Sequence, residues 1–273
     1  MTREAVVSPP QRPAVGTLLR EWRERRRLTQ LDLALEAEVS TRHLSYMETG
    51  RSRPSRAMLL HLAERLDVPL RERNELLLAS GYAPVYAETA LDAPQAPHMA
   101  AVRAAVRQVL VAYEPYPALA VDRHWTMVDA NPAVTLLLVD GVAPALLTPP
   151  LNVLRVSLHP EGLAPRIINL GEWRAHLFGR LRRQVDRTAD PVLAALHDEL
   201  RAYPCDQPEP EVERPGPGDV VVPLRLRHGD RVLALITMVA TFGTPLDITV
   251  SELVIESFFP ADAATAAILR AGL

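Results

Sequence analysis

Lysine is absent from this 273-residue chain, so its thirty basic residues other than histidine are all arginine. Arginine favours bidentate contacts to phosphate and to base edges, although a genome-wide codon bias would give the same composition. Cysteine occurs once, at Cys205, which excludes an internal disulfide and a cysteine-based metal cage and fits a reducing cytoplasm. No run reaches 18 uninterrupted apolar residues, so no membrane span is expected. The opening MTREAVVSPPQRP lacks the apolar centre of a secretory leader. No HExxH, GxSxG, P-loop or paired-cysteine motif occurs, and PGPG at 215–218 reads as a turn, not a phosphate cradle. His159 and Glu161 lie close together, but such pairs are common. Cys205, between Pro204 and Asp206 in an acidic stretch, is a poor setting for a thiolate nucleophile. The expectation is a cytoplasmic protein that is not an enzyme, with no catalytic residues, no cofactor and no metal site.

At 48% hydrophobic and 23% charged residues, the composition is that of a globular protein, and the length suggests about two domains at roughly 100–200 residues each. Charge divides the chain. Residues 1–82 carry 14 arginines against 11 acids (+3), and the remainder 16 against 22 (−6). Only the front is therefore expected to meet phosphate. Prolines 9, 10 and 13 make residues 1–13 a flexible arm, and Pro84, Pro94 and Pro97 mark a linker over 83–99.

Between these, residues 14–82 read as five helices. The first covers Val15–Arg27, with Leu18, Leu19 and Trp22 on one face and Arg20, Arg23 and Arg26–Arg27 largely on the other. Thr29 caps a second helix through Glu36, with Asp32 as capping-box partner, and Ser40 caps a third over Thr41–Glu48 that Gly50 ends. Pro54 and Ser55 open a fourth to about Leu66, and Pro69 precedes a fifth, Leu70–Ser80, stopped by Gly81. Leu31, Ala34, Leu35, Val39, Leu44 and Met47 are spaced to close a core, which leaves Thr41, Arg42, Ser45 and Tyr46 facing outward.

In a helix-turn-helix the second helix enters the major groove and its early residues reach base edges. Arg42 suits a guanine, while Ser40, Thr41, Ser45 and Tyr46 form the rest of the ridge. Gln30 at a helix N-terminus, with Arg51 and Arg53 after the recognition helix, suits backbone phosphate. The alternative is a small helical bundle with a solvated arginine face that contacts protein.

The ordered set Leu28-Thr29-Gln30, Leu33-Ala34, Val39-Ser40, Leu44-Ser45, Glu48, Gly50, Arg53-Pro54-Ser55 and Leu62-Ala63 resembles the Xre/Cro-type helix-turn-helix family. A homodimer on a semi-palindromic double-stranded operator is expected, because one helix-turn-helix contacts only a half-site. Where that family often has glycine in the turn, Glu38 stands here, and a left-handed non-glycine residue costs on the order of 1 kcal/mol.

Residues 100–273 change pattern. Strands are expected at Ala118–Asp122 and Thr126–Ala130 about an Arg123–Trp125 turn, and at Val220–Arg227, Arg231–Thr241 and Glu252–Phe258. Helices are expected near Val102–Ala112, after Asn131-Pro132, at Glu172–Arg187 and Pro191–Ala202, and after Pro260, with a loop over 204–219. This is an α+β domain with a five-stranded antiparallel sheet. The opening PYPALAVDRHWTMVDANPAVTLLL, NVLRVSLHPEGLAP, Trp173 and the ending VIESFFPADAAT together resemble the PAS-like ligand-binding domain of MmyB-like regulators. That resemblance implies a sensor with an apolar pocket for a small ligand, a fatty acid or similar lipid-like molecule. From the residues alone, the apolar side chains enclose a pocket or fill a dry core. His159, Trp173, Arg174, His176 and Phe178 are the candidate ligand contacts, a His or Arg serving as donor to a carboxylate. The bland readings are a turn cap for His159, core for Trp173 and solvation for Arg174. Alternatively, the C-terminal domain only dimerises the protein or docks a protein partner.

Overall fold

All five front helices are followed by one residue in the left-handed region, Gly50 at φ 73° after the third among them. A computed structural model describes residues 14–138, 141–210 and 222–271; the expected arm over 1–13 and positions 211–221 lie outside the described residues. Two compact units divide at Ala87/Glu88.

In the first unit α1 spans Val15–Arg25, α2 Gln30–Glu36, α3 Thr41–Glu48, α4 Arg56–Arg65 and α5 Leu70–Ala79. The Thr29 hydroxyl accepts from the Asp32 amide at 3.1 Å while the Asp32 carboxylate accepts from the Thr29 amide at 2.8 Å, a complete capping box. Ser40 and Ser55 cap α3 and α4 through the amides of His43 and Met58. Arg27, Glu38, Asp67 and Gly81 then take φ of 58°, 53°, 46° and 72°. Each lets the next amide return to a carbonyl five residues back: Leu28 to Arg23, Val39 to Ala34, Val68 to Ala63 and Tyr82 to Leu77. Glu38 therefore adopts the turn a glycine would have made, at the expected strain.

Leu19, Leu33, Leu44, Met47, Leu59 and Leu62 are fully buried. Two of the expected core residues are not core: Leu31 is 57% and Leu35 69% exposed, and Leu33 and Ala37 take their places beside Ala34. Leucines at 31, 33 and 35 recur every second residue, which a helix turning 100° per residue cannot put on one face. Arg23, expected on the polar face of α1, is also buried, at 8% exposed. The segment after α5 is tied back, with Asn74 accepting from the amides of Val85 and Tyr86 and donating to the Tyr86 carbonyl.

The second unit contains α6 (Pro97–Ala112), β1 (Ala118–Val121), β2 (Met127–Ala130), α7 (Pro132–Leu138), α8 (Val153–Leu158), α9 (Leu170–Thr188), α10 (Pro191–Arg201), β3 (Leu224–His228), β4 (Arg231–Thr241), α11 (Ile248–Ser251), β5 (Val254–Pro260) and α12 (Ala263–Arg270). The five strands form the expected antiparallel sheet, in the order β2-β1-β5-β4-β3. Ala118, Ala120 and Ile255 pack with Val106 and Leu110 of α6. Leu119, Val121, Leu224, Leu226, Leu233 and Leu235 join the larger core under α7 to α10. β1 is thus buried along its whole length.

The differences from expectation are local. α6 begins at Pro97, five residues early, because proline suits the first helical turn; Met99 is fully buried there. β3 starts at Leu224, after Pro223, which has no amide to donate. β5 starts at Val254 because Glu252 closes the short helix α11. The β1–β2 turn is held by Asp122, whose Oδ1 accepts from the amides of His124 and Thr126, both at 2.8 Å, while Trp125 takes φ 67°.

Candidate DNA interface and ligand cavity

On α3 the inward residues Leu44, Met47 and Glu48 are buried, while Thr41, Arg42 and His43 are exposed and Ser45 and Tyr46 half-buried. The ridge is held in place. Arg42 Nε donates to the Tyr46 hydroxyl at 2.9 Å, and its guanidinium lies 5.3 Å from the ring centroid, with Arg51 at 5.8 Å from the same ring. Tyr46 therefore orders two cations on one exposed surface, and the terminal nitrogens of Arg42 keep the planar fork of donors that a guanidinium presents.

Other predicted contacts have tasks inside the unit. Ser40 uses its hydroxyl as cap. Gln30 donates to Glu48 Oε2 at 2.8 Å. Arg53 donates to the Ser80 carbonyl and lies over the Tyr82 ring at 5.2 Å. His43 is a further exposed group on the ridge, absent from the expected contacts although its place next to Arg42 in the first turn of α3 was the available signal.

Beneath the ridge lies a buried charge cluster. The Glu48 side chain is fully buried and accepts from Arg23 Nε at 2.7 Å, Arg23 NH2 at 3.0 Å and Gln30, with Arg20 at 3.7 Å. Burial works to raise its pKa, but the Arg23 and Gln30 hydrogen bonds and the charges of Arg23 and Arg20 prevail, leaving it below the ordinary carboxylate value. The cluster clamps the end of α3 to α1 and α2. Gly16 completes it, since a Cβ there would stand 2.5 Å from the Glu48 carbonyl oxygen. Only glycine permits that approach.

The second unit contains an apolar cavity of about 70 Å³, whose walls include Leu119, Val134, Leu154, Trp173, Leu177 and Phe258. Glu256 is its charged wall residue and Ser157 accepts from the Trp173 indole N–H at 3.0 Å. Of the five candidate ligand residues, Trp173 is the one on this wall. His176 stacks on Trp173 with ring centroids 5.4 Å apart, its pKa pushed down to about 4 by burial and by Arg180 and Arg183. Arg174 is buried, paired with Glu209 at 2.6 Å and lying over Phe178, so the solvated reading of Arg174 is corrected. Phe178 meets His197 edge-on. His159 accepts the Glu161 amide on Nδ1 and meets Tyr203 edge-on, the turn-cap reading. Glu256 and the α7 and α8 residues were missed because nothing local distinguishes them from core. Among the described residues no helix is long and apolar enough to cross a membrane, and no group of three or more His, Cys, Asp or Glu is placed to hold a metal ion.

A presented recognition helix in one unit and an apolar cavity in the other define a DNA-binding transcription regulator with a ligand-binding domain. A helix-turn-helix domain model matches residues 14–76. The model described as the MmyB-like transcription regulator ligand binding domain matches residues 102–271, and the chain belongs to that family. The matched families are those of regulators, not of enzymes. No curated protein matches the chain.

Proposed function

We propose that the protein binds a semi-palindromic operator as a homodimer through Thr41–Tyr46 and that a small apolar ligand, a fatty acid or similar molecule, in the second unit changes its DNA affinity. The observation that carries the DNA reading is the Arg42–Tyr46–Arg51 arrangement: two side chains on the outward side of the helix that a helix-turn-helix inserts into the groove, with Arg51 from the segment just after it against the same ring. One such unit spans one half-site, and half-sites lie about 34–36 Å apart, which is the argument for two copies. The apolar cavity supports the ligand reading. Its small volume calls for a narrow molecule whose entry moves the walls, so that bound and free forms differ as ligand control requires.

Arg42→Ala tests the proposal in a gel shift with the DNA upstream of the reading frame at fixed salt. The variant should lose about 1–3 kcal/mol of operator binding while keeping its melting temperature. Binding as tight as wild type would remove α3 from the DNA-reading role.

A further inference from the structure

The apolar cavity ends at an ion pair, and beyond that pair the surroundings change from apolar to basic. Along the sheet, Leu119 of β1 stands opposite Glu256 of β5, and two residues on, Val121 stands opposite Val254. The first pair belongs to the cavity and the second to a separate open cleft of about 490 Å³. α9 makes the same passage. Trp173 and Leu177 line the cavity, while Arg180, Arg183 and Arg187 line the cleft. Positions 173, 177, 180 and 187 recur on one helical face and span about 21 Å at 1.5 Å per residue.

At the boundary, Arg180 donates to Glu256 at 2.5 Å, with the two side chains 18% and 6% exposed. Across the strands Glu256 faces Leu119 and Val239, so among the described residues Arg180 is the group that compensates its charge. Arg180 also lies 4.8 Å from the Trp125 ring centroid. Trp125 is itself fixed by donating to Gln184 at 2.9 Å, and Gln184 donates to the Arg123 carbonyl at 2.8 Å. The floor of the cleft is thus built, but its cations are not spent. Arg183 and Arg187 are exposed and have no acidic partner among the described residues. The acid in the cleft is Asp122, one of whose oxygens holds two backbone amides of the β1–β2 turn.

We propose that the Arg180–Glu256 pair is a latch between cavity and cleft, opened by a single-chain amphiphile with an anionic oxyacid head. The head group replaces Glu256 on Arg180, Arg183 and Arg187 add charge-assisted hydrogen bonds, and the chain enters the apolar cavity. The exchange leaves Glu256 without its guanidinium in a buried position, which is costly; the head group and Glu256 therefore compete for Arg180. This rests on the ligand reading above and adds which residues hold the head group and which ion pair it must open.

The test measures binding of decanoate, decyl phosphate and 1-decanol to the full-length protein by calorimetry. Glu256→Gln, which removes the competing charge, should tighten decanoate or decyl phosphate by about tenfold, and the double variant Arg183→Gln/Arg187→Gln should weaken it by about tenfold, with 1-decanol unchanged. The phosphate arm distinguishes a site selective for carboxylate from one that takes either oxyacid. Arg183 and Arg187 are exposed, so their loss leaves the fold intact, to be checked by circular dichroism. If all three probes bind wild type and variants alike, the latch is wrong and the apolar-ligand reading survives. If wild type binds none of them, both fall.

Discussion

Each unit buries a glutamate against arginine, and the two do so differently. Glu48 is fully enclosed and held by Arg23 through both carboxylate oxygens, with Gln30 and Arg20 adding to the same group. Glu256 has one guanidinium and forms part of the wall of an apolar cavity. A carboxylate with several fixed donors is a clamp, because it ties together the elements that carry those donors, and its removal strands the buried guanidinium. A carboxylate with one donor, beside a cavity, can be exchanged for another anion. The first unit therefore has its functional groups outside and its charge network as scaffold, whereas the charge pair of the second is placed where a ligand would act.

The largest effect that would sharpen this contrast is expected from Glu48→Ala. Stranding Arg23 should destabilise the first unit by about 3–5 kcal/mol, seen in calorimetry of the full chain as a lowered transition for that unit with the other unmoved. A fall of less than about 1 kcal/mol, the range of an exposed pair, would end the description of Glu48 as a clamp.

Acid should separate the units next. His176 is held neutral, its pKa pushed down to about 4 from an ordinary 6.5. Between those values the unfolded chain binds the extra proton, so the stability of the second unit falls as pH drops through that window. The loss amounts to about 2–3 kcal/mol in all. Glu48, with its lowered pKa, keeps its contribution above the ordinary carboxylate value of 4.5 and loses it only on further acidification. Denaturant melts at pH 7 and pH 5 should weaken the second unit alone, and His176→Gln should flatten that dependence. Equal acid sensitivity in the variant would remove His176 as its cause.

The smallest expected effect is local to the first unit. Glu38→Gly should stabilise it by up to about 1 kcal/mol, since φ 53° suits glycine better than glutamate. A chemical melt in which the variant is less stable would mean that the glutamate side chain makes up for its backbone strain.

Much of the first unit was readable without coordinates. Thr29, Ser40, Ser55, Gly50 and Gly81 are signals that act within four residues of themselves, and α3 runs over Thr41–Glu48 as its cap implies. The burial of Arg23 was not readable, because its partner Glu48 lies 25 residues away. In the second unit the strands were recognisable as short apolar runs between turn signals, with clear alternation only in β3. The ligand candidates were not: Trp173, His176, Arg174 and Phe178 share one helix, and only its rotation against the sheet puts Trp173 on the cavity and Arg174 and Phe178 elsewhere.

The amino-acid order by itself determined where most front helices start and stop, how many strands there are and which short helix presents Thr41 to Tyr46. Those outcomes depend on hydrogen bonds and torsions between near neighbours in the chain. Tertiary structure alone decided that Glu48 meets Arg23, that Glu256 meets Arg180 and that an apolar space remains beside the second pair. Each joins segments 25 or more residues apart, and whether side chains from distant segments touch or leave a gap depends on how whole elements pack.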